Sequence, residues 1–196
     1  PYASSACEMV AEVLQYIGDD GIKIKPAEAD AMYAGIVIDT NNFMNQAGVR
    51  TFEAAAFLRR NGADVVRVRK LFRDRLEDYR ARAEAIQKAE IYHGAFAISV
   101  CPSEGLESPT VVGAQAANEL LDIVGIKASF ILTQMGDTIY FSARSIDEIN
   151  VQIIMERLGG GGHRTIAGAQ LKGATIDEAR EKLKDLITDM MEKGEI

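Results

Sequence analysis

Apolar positions recur along this chain with two different periods, and the change between them near residue 93 is the first sign of its organisation. Met9, Val10, Val13 and Leu14 follow Ser5-Ala6-Cys7-Glu8, a capping box, and predict a helix that ends near Gly18. Pro26 opens a second run, Ala27 to Ile38, with no turn signal before Asp39-Thr40-Asn41-Asn42. Its tail Ile36-Val37-Ile38 alone also reads as a short strand, but the whole run is too long and too alanine-rich for that. Thr51 is placed to cap a helix from Phe52 to Arg60, closed by Asn61-Gly62. From Asp64, the positions Val65, Val68, Leu71, Phe72, Leu76, Tyr79, Ala83 and Ile86 predict one long helix.

After His93-Gly94 the pattern alternates. Ala95 to Val100 reads as a strand, Cys101 to Gly105 as a loop, and Pro109 to about Ile123 as a helix stopped by Gly125. Ser129 to Gln134 and Thr138 to Ala143, around Met135-Gly136-Asp137, form a predicted hairpin. Ser145-Ile146-Asp147-Glu148 is a second capping box, opening a helix from Ile146 to about Arg157 that runs into Gly159-Gly160-Gly161-Gly162-His163. Ala167 to Leu171 is a returning strand, and Thr175-Ile176-Asp177-Glu178 opens a terminal helix with the stripe Ala179, Leu183, Leu186, Ile187 and Met190. The expected fold class is α/β in two lobes, residues 1–90 and 91–196, joined by the long helix.

Charge refines this picture. The 196-residue chain carries a formal −7, but residues 59–88 hold ten Lys/Arg against five Asp/Glu, so one basic segment interrupts an acidic protein. Asp74, Glu77, Asp78 and Glu84 alternate with its arginines at helix-pairing distances, which favours a solvated face over a phosphate-attracting one built on Arg67, Arg69, Arg73 or Arg75. Cys7 and Cys101 show neither metal-finger spacing nor the density of a disulfide scaffold, and a reducing, cytoplasmic setting is expected. No apolar run is long enough for a membrane span. The chain opens on Pro1-Tyr2-Ala3 without Met and reads as a piece of a longer protein. Gly18-Asp19-Asp20-Gly21 resembles part of a calcium loop, but Lys and Ile follow where carboxylates belong, so a plain turn is expected.

Four adjacent glycines belong where backbone must approach something closely. They follow a helix and precede no Lys-Ser/Thr pair, which excludes a Walker-type loop. What remains is a bare ledge ending in His163, an imidazole able to donate to a phosphate oxygen or a base edge. An interdomain loop with an incidental histidine is the plain alternative, although linker glycines usually mix with serine. Arg144, at the end of the hairpin, suits bidentate phosphate binding, and Asn150, on the first turn of the next helix, can reach a base or sugar. Either is equally at home on a plain surface. Asp39 stands where a long apolar element stops, but one carboxylate does not hold a hydrolytic metal. It is a helix-end residue, or its co-ligands lie upstream of Pro1.

Gly35-Ile36-Val37-Ile38-Asp39-Thr40-Asn41-Asn42-Phe43, with Ala3-Ser4-Ser5 before it, resembles the last metal-site segment of the DHH phosphoesterase family. Ser142-Ala143-Arg144-Ser145, Ile149-Asn150-Val151-Gln152 and Gly159 to His163 with Ala167 resemble its C-terminal DHH-associated domain. The likeness is greatest to the membrane-anchored cyclic-di-AMP phosphodiesterases of the GdpP type. It implies a mainly helical remnant of the DHH lobe and a smaller α/β lobe with a mixed sheet. It also implies hydrolysis of cyclic-di-AMP to the linear dinucleotide by water activated at two manganese ions. Asp39 then corresponds to a metal ligand, and Arg144, Asn150, Gly160, Gly161, Gly162 and His163 to substrate contacts. The Asp-His-His motif itself is absent, so the 196 residues alone are expected to be inactive. Ile166 departs from the small residue that many relatives carry beyond the histidine. Expected partners are a cyclic dinucleotide or short oligonucleotide and a second copy of the chain, with a membrane reached only through upstream segments. Two alternatives stay open: an oligoribonuclease or nucleotide-bisphosphate phosphatase of the same family, and a non-catalytic RNA-binding module acting through Arg67 to Arg82.

Overall fold

The computed structural model describes residues 3–17, 23–44, 46–146 and 148–196. The predicted turn at Gly18-Asp19-Asp20-Gly21 therefore lies outside the described residues, as does Asp147 of the second capping box. The chain divides into two compact units, Pro1–Arg73 and Asp74–Ile196. Among the described residues no helix is long and apolar enough to cross a membrane, and both cysteines are free.

The first unit is helical: α1 (Ala6–Ile17), α2 (Pro26–Asp39), α3 (Val49–Arg60) and α4 (Val65–Leu71). Its core of Ala11, Ala29, Ile36, Ala54, Leu58 and Ala63 is mostly alanine, so the helices approach closely. A Cβ on Gly35 would lie 2.4 Å from Cys7 Sγ, which leaves glycine as the residue that lets α1 and α2 cross there. Ser5 caps α1 as predicted, accepting from the Glu8 N–H at 3.1 Å. Glu8 does not close the box. It is buried, and its carboxylate accepts from the Ser4 N–H and hydroxyl and from Thr51 Oγ1 at 2.7 Å, joining α1 to α3. Burial opposes the charge of Glu8, but these hydrogen bonds, with help from the Arg50 guanidinium, outweigh it and hold the carboxyl below its ordinary range. Thr51 is not the cap of α3. The helix starts one turn earlier at Gly48, whose N–H donates to Thr51 Oγ1 at 3.0 Å.

The long helix expected from Asp64 is two helices, α4 and α5 (Leu76–Gln87), broken over Phe72–Arg75. Asp64 caps the first through the Arg67 N–H at 2.9 Å. Arg67 then turns back to α2, with Nε 2.6 Å from Asp30 Oδ2. In the second unit Arg82 Nη2 reaches Asp74 Oδ2 at 2.6 Å and Nε reaches Glu119 at 2.7 Å, fixing the start of α5 to α6. No glycine or proline marks this break, so the apolar period runs through it unseen. The compact units accordingly divide at Arg73/Asp74, ahead of the expected lobe boundary between residues 90 and 91: Ala81 and Ala85 of α5 share a core with Ala97, Cys101, Val112 and Leu120.

The rest of the second unit is β1 (Glu90–Tyr92), β2 (Phe96–Cys101), α6 (Pro109–Leu120), β3 (Ala128–Met135), β4 (Thr138–Ser145), α7 (Val151–Arg157), β5 (Gly161–Gly162), β6 (Ile166–Lys172) and α8 (Ile176–Glu192). The strands form one mixed sheet in the order β1-β2-β3-β4-β6-β5, with β2 and β3 parallel through the α6 crossover and the other pairs antiparallel. One face, with Phe96, Ile98, Phe130, Leu132, Ile139, Phe141, Ala167 and Ala169, buries against α7 and α8. On the other, Ser99 Oγ donates to Ala85 O at 2.5 Å and Ser129 Oγ to Ala117 O at 2.6 Å, which seats α5 and α6 over β2 and β3. Thr175 caps α8 with its box closed by Glu178, and Ala179, Leu183, Ile187 and Met190 are buried as predicted.

Candidate functional site

The second face of the sheet is covered only in part. Beyond β3, the side chains of β4 and β6 that point the same way are half-buried or exposed: Tyr140, Ser142 and Arg144, and Ile166, Gly168 and Gln170. Register arranges them in rows. Arg144 pairs with Ile166, and Ile166 exchanges hydrogen bonds with His163 at 2.7 and 3.2 Å, so His163, Ile166 and Arg144 lie side by side. Strand spacing places the outer two about 10 Å apart. The next row is Ser142, Gly168 and Gly161. A shelf results, with hydrogen-bonding groups on one border and an almost bare floor beside them.

The four glycines differ in why they are needed. Gly159 has φ +81° and ends α7 in a Schellman motif, in which its N–H bonds Glu156 O at 2.9 Å and that of Gly160 bonds Met155 O at 2.8 Å. A Cβ on Gly160 would fall 2.0 Å from Gly168 O, and one on Gly162, at φ +149°, 2.5 Å from Ile166 O. Of the four, only Gly161 combines an ordinary φ with open space around an added Cβ, which meets nothing within 4 Å. The run is thus an edge strand, β5, pressed against β6, and the fold has no need of bareness at Gly161.

Arg144 stands at the far end of the row from His163. Its Nε donates to Asn118 Oδ1 at 3.0 Å and Nη1 to Ala143 O at 2.9 Å, and among the described residues no carboxylate pairs with it. Burial lowers its pKa from the ordinary arginine value. A partly desolvated guanidinium without a counter-ion favours an incoming anion. Asn150 is not on the first turn of α7 but at its N-cap, where Oδ1 accepts from the Gln152 N–H at 3.1 Å. The helix therefore begins at Val151, later than the Ser145 box predicts. The Val151 N–H bonds Arg164 O at 2.9 Å and the Ser145 N–H bonds Thr165 O at 3.0 Å. Strand end, helix start and the turn after the glycines thereby meet.

Asp39 belongs to the first unit and is the exposed last residue of α2. Thr40 behind it is buried, with Oγ1 donating to Ile36 O at 2.6 Å. Asn41, Asn42 and Phe43 then take φ of 45°, 57° and 64°, a left-handed turn that costs roughly 1–2 kcal/mol per ordinary residue and less for Asn. Phe43 is held by stacking on Phe52 at 5.3 Å and by an edge contact with Tyr33 at 6.0 Å. Cys7 lies near enough that burial, and then the Asp39 carboxylate, push its thiol pKa up. Among the described residues no three His, Cys, Asp or Glu gather as metal ligands. Asp39 therefore has no companion ligands among the described residues.

Two other places offer less. Arg67 and Arg75 of the basic segment are paired with Asp30 and Glu107. A cleft of about 290 Å³ lined by Tyr79, Arg82, Ile86, Gln87 and Glu119 has its guanidinium already held by two carboxylates. The residues of the shelf that periodicity alone leaves unremarked are Ser142, Gly168 and Asn118. Of these only Ser142 has a signal in the pattern, the polar half of the alternation in Thr138-Ile139-Tyr140-Phe141-Ser142-Ala143-Arg144.

Residues 95–189 match the family model of the DHHA1 domain. The chain is 45% identical over 195 residues to the cyclic-di-AMP phosphodiesterase GdpP of Geobacillus thermodenitrificans, covering 99% of this chain and 29% of that protein. To the cyclic-di-AMP phosphodiesterase PdeA of Listeria monocytogenes it is 43% identical over 196 residues, again 29% of that protein. The chain thus spans less than a third of these curated relatives. An exopolyphosphatase-related protein from Bacteroides fragilis has the same fold, with a TM-score of 0.81 at 20% identity over 96% of this chain and 57% of that one.

Proposed function

From a chain whose residues 95–189 are a DHHA1 domain, we propose that it is the nucleotide-holding part of a cyclic-di-AMP phosphodiesterase. The observation that carries this reading is the half-buried Arg144, without a carboxylate partner among the described residues, in one row with His163 beside a glycine floor. Arg144 neutralises a phosphate, His163 donates to a phosphate oxygen or base edge, and the floor of Gly161 and Gly168 accepts a flat group that side chains would exclude. Names of the similar proteins support the substrate class, and the linear dinucleotide is the expected product. The two manganese ions implied by the resemblance need ligands that the described residues do not supply beyond Asp39, so no step is assigned to them. The 196 residues accordingly bind without turnover.

Calorimetry of this chain with cyclic-di-AMP and linear di-adenylate, with and without manganese, tests the reading. Binding with no product, weakened at least tenfold by Arg144→Ala or His163→Ala, is expected. Manganese-dependent turnover would sink the inactive assignment. Affinity for RNA with a steep salt dependence, indifferent to His163→Ala, would transfer the assignment to an RNA-binding module.

A further inference from the structure

The open sheet face continues one row past the glycine floor. Tyr140 pairs with Gln170 there, and both side chains point to the same side as Arg144, Ser142 and Gly168, because each stands an even number of residues along its strand. Tyr140 is half-buried and Gln170 exposed, and among the described residues neither side chain makes a hydrogen bond. Successive rows on one face are about 7 Å apart. A nucleotide with its phosphate at Arg144 and His163 therefore lays its base on Gly161, Gly168 and Ser142 and turns the far edge of that base toward Tyr140 and Gln170. Ile166, 53% exposed between the two phosphate-facing groups, adds an apolar edge for the ring.

We infer that Tyr140 and Gln170 read the base edge of the bound nucleotide, and that Gln170 is the residue that favours adenine over guanine. This rests on the nucleotide reading given above. A glutamine amide offers one acceptor and two donors, which match the N6 amino group and N7 of adenine, whereas guanine presents two acceptors along the same edge and leaves the amide oxygen unanswered. Charge fits the occupant as well: the phosphate border carries Arg144 without a carboxylate partner among the described residues, while the base border carries uncharged polar groups.

The test measures binding of linear di-adenylate and linear di-guanylate to the 196-residue chain and to its Gln170→Ala, Tyr140→Ala and His163→Ala variants. Tyr140 is half-buried and Gln170 exposed on an open face, so their substitution leaves the sheet intact, which circular dichroism verifies. Wild type prefers di-adenylate by about tenfold, the scale of one good bidentate contact. Gln170→Ala removes most of that preference, Tyr140→Ala weakens both ligands modestly, and His163→Ala weakens both equally with the preference retained. If His163→Ala weakens binding while Gln170→Ala and Tyr140→Ala leave the preference unchanged, base selection lies elsewhere and the nucleotide reading stands. If wild type binds neither ligand, or His163→Ala changes nothing, both readings fall together.

Discussion

The glycine ledge of the second unit and the turn after Asp39 in the first are both places where backbone departs from ordinary geometry, and they are resolved differently. Gly159, Gly160 and Gly162 each answer a demand of the fold, a positive φ or a close approach to β6, and the side chains around them converge on one shelf. Asn41, Asn42 and Phe43 hold a left-handed turn with ordinary side chains, secured by Thr40 and an aromatic cluster, yet Asp39 beside it has no companion ligand among the described residues. Strain is thus present in both, but only the ledge has its chemistry assembled around it. A distorted backbone therefore points to function only when the groups it positions can be named.

The largest effect that tests this contrast is Gly160→Ala, which forces a methyl into the Gly168 carbonyl and should cost about 3 kcal/mol of stability in thermal or denaturant unfolding. Gly161→Ala, one residue on, should leave stability unchanged and weaken nucleotide binding alone. Equal destabilisation by both would mean that the ledge is purely structural. Next in size is the response of the first unit to acid. Glu8 has its pKa depressed in the folded state, so its stabilisation is fully present above the unfolded carboxyl value of about 4.3 and is lost as pH falls through the folded value. Acid titration monitored by NMR should therefore loosen α1 and α3 before the sheet of the second unit, and Glu8→Gln should abolish that order. The smallest concerns Thr133, whose buried hydroxyl, under Gly113, has no hydrogen-bond partner among the described residues. Thr133→Val should be neutral or stabilise by about 1 kcal/mol, since no hydrogen bond is lost and a desolvated hydroxyl is removed.

Sequence pattern was most informative where a local rule and the tertiary fold agree. The box at Thr175, the hairpin of β3 and β4 and the stripe of α8 rest on spacing and caps, and the structure has them. The ledge was legible as a close approach, but not as an edge strand, because two paired glycines carry no side-chain period. The break between α4 and α5 escaped because long-range partners make it: Asp74 turns to Arg82 in place of continuing a helix. Thr51 was misplaced by one turn because its hydroxyl serves Gly48 and Glu8 at once, and Glu8 is remote in sequence. Of the candidate residues, Arg144 and His163 fall in one row through the register of three strands. Alternation shows which face a residue takes, and only pairing shows which residues become neighbours.

The helix α7 has a consequence of its own. Its seven residues are anchored at both ends, by the Val151 N–H on Arg164 O and by the Gly160 N–H on Met155 O, so the same short rod fixes where the ledge leaves and where its turn comes back. Adding or removing one residue would rotate everything beyond it by about 100°. The length of α7 is therefore a gauge that aims the ledge.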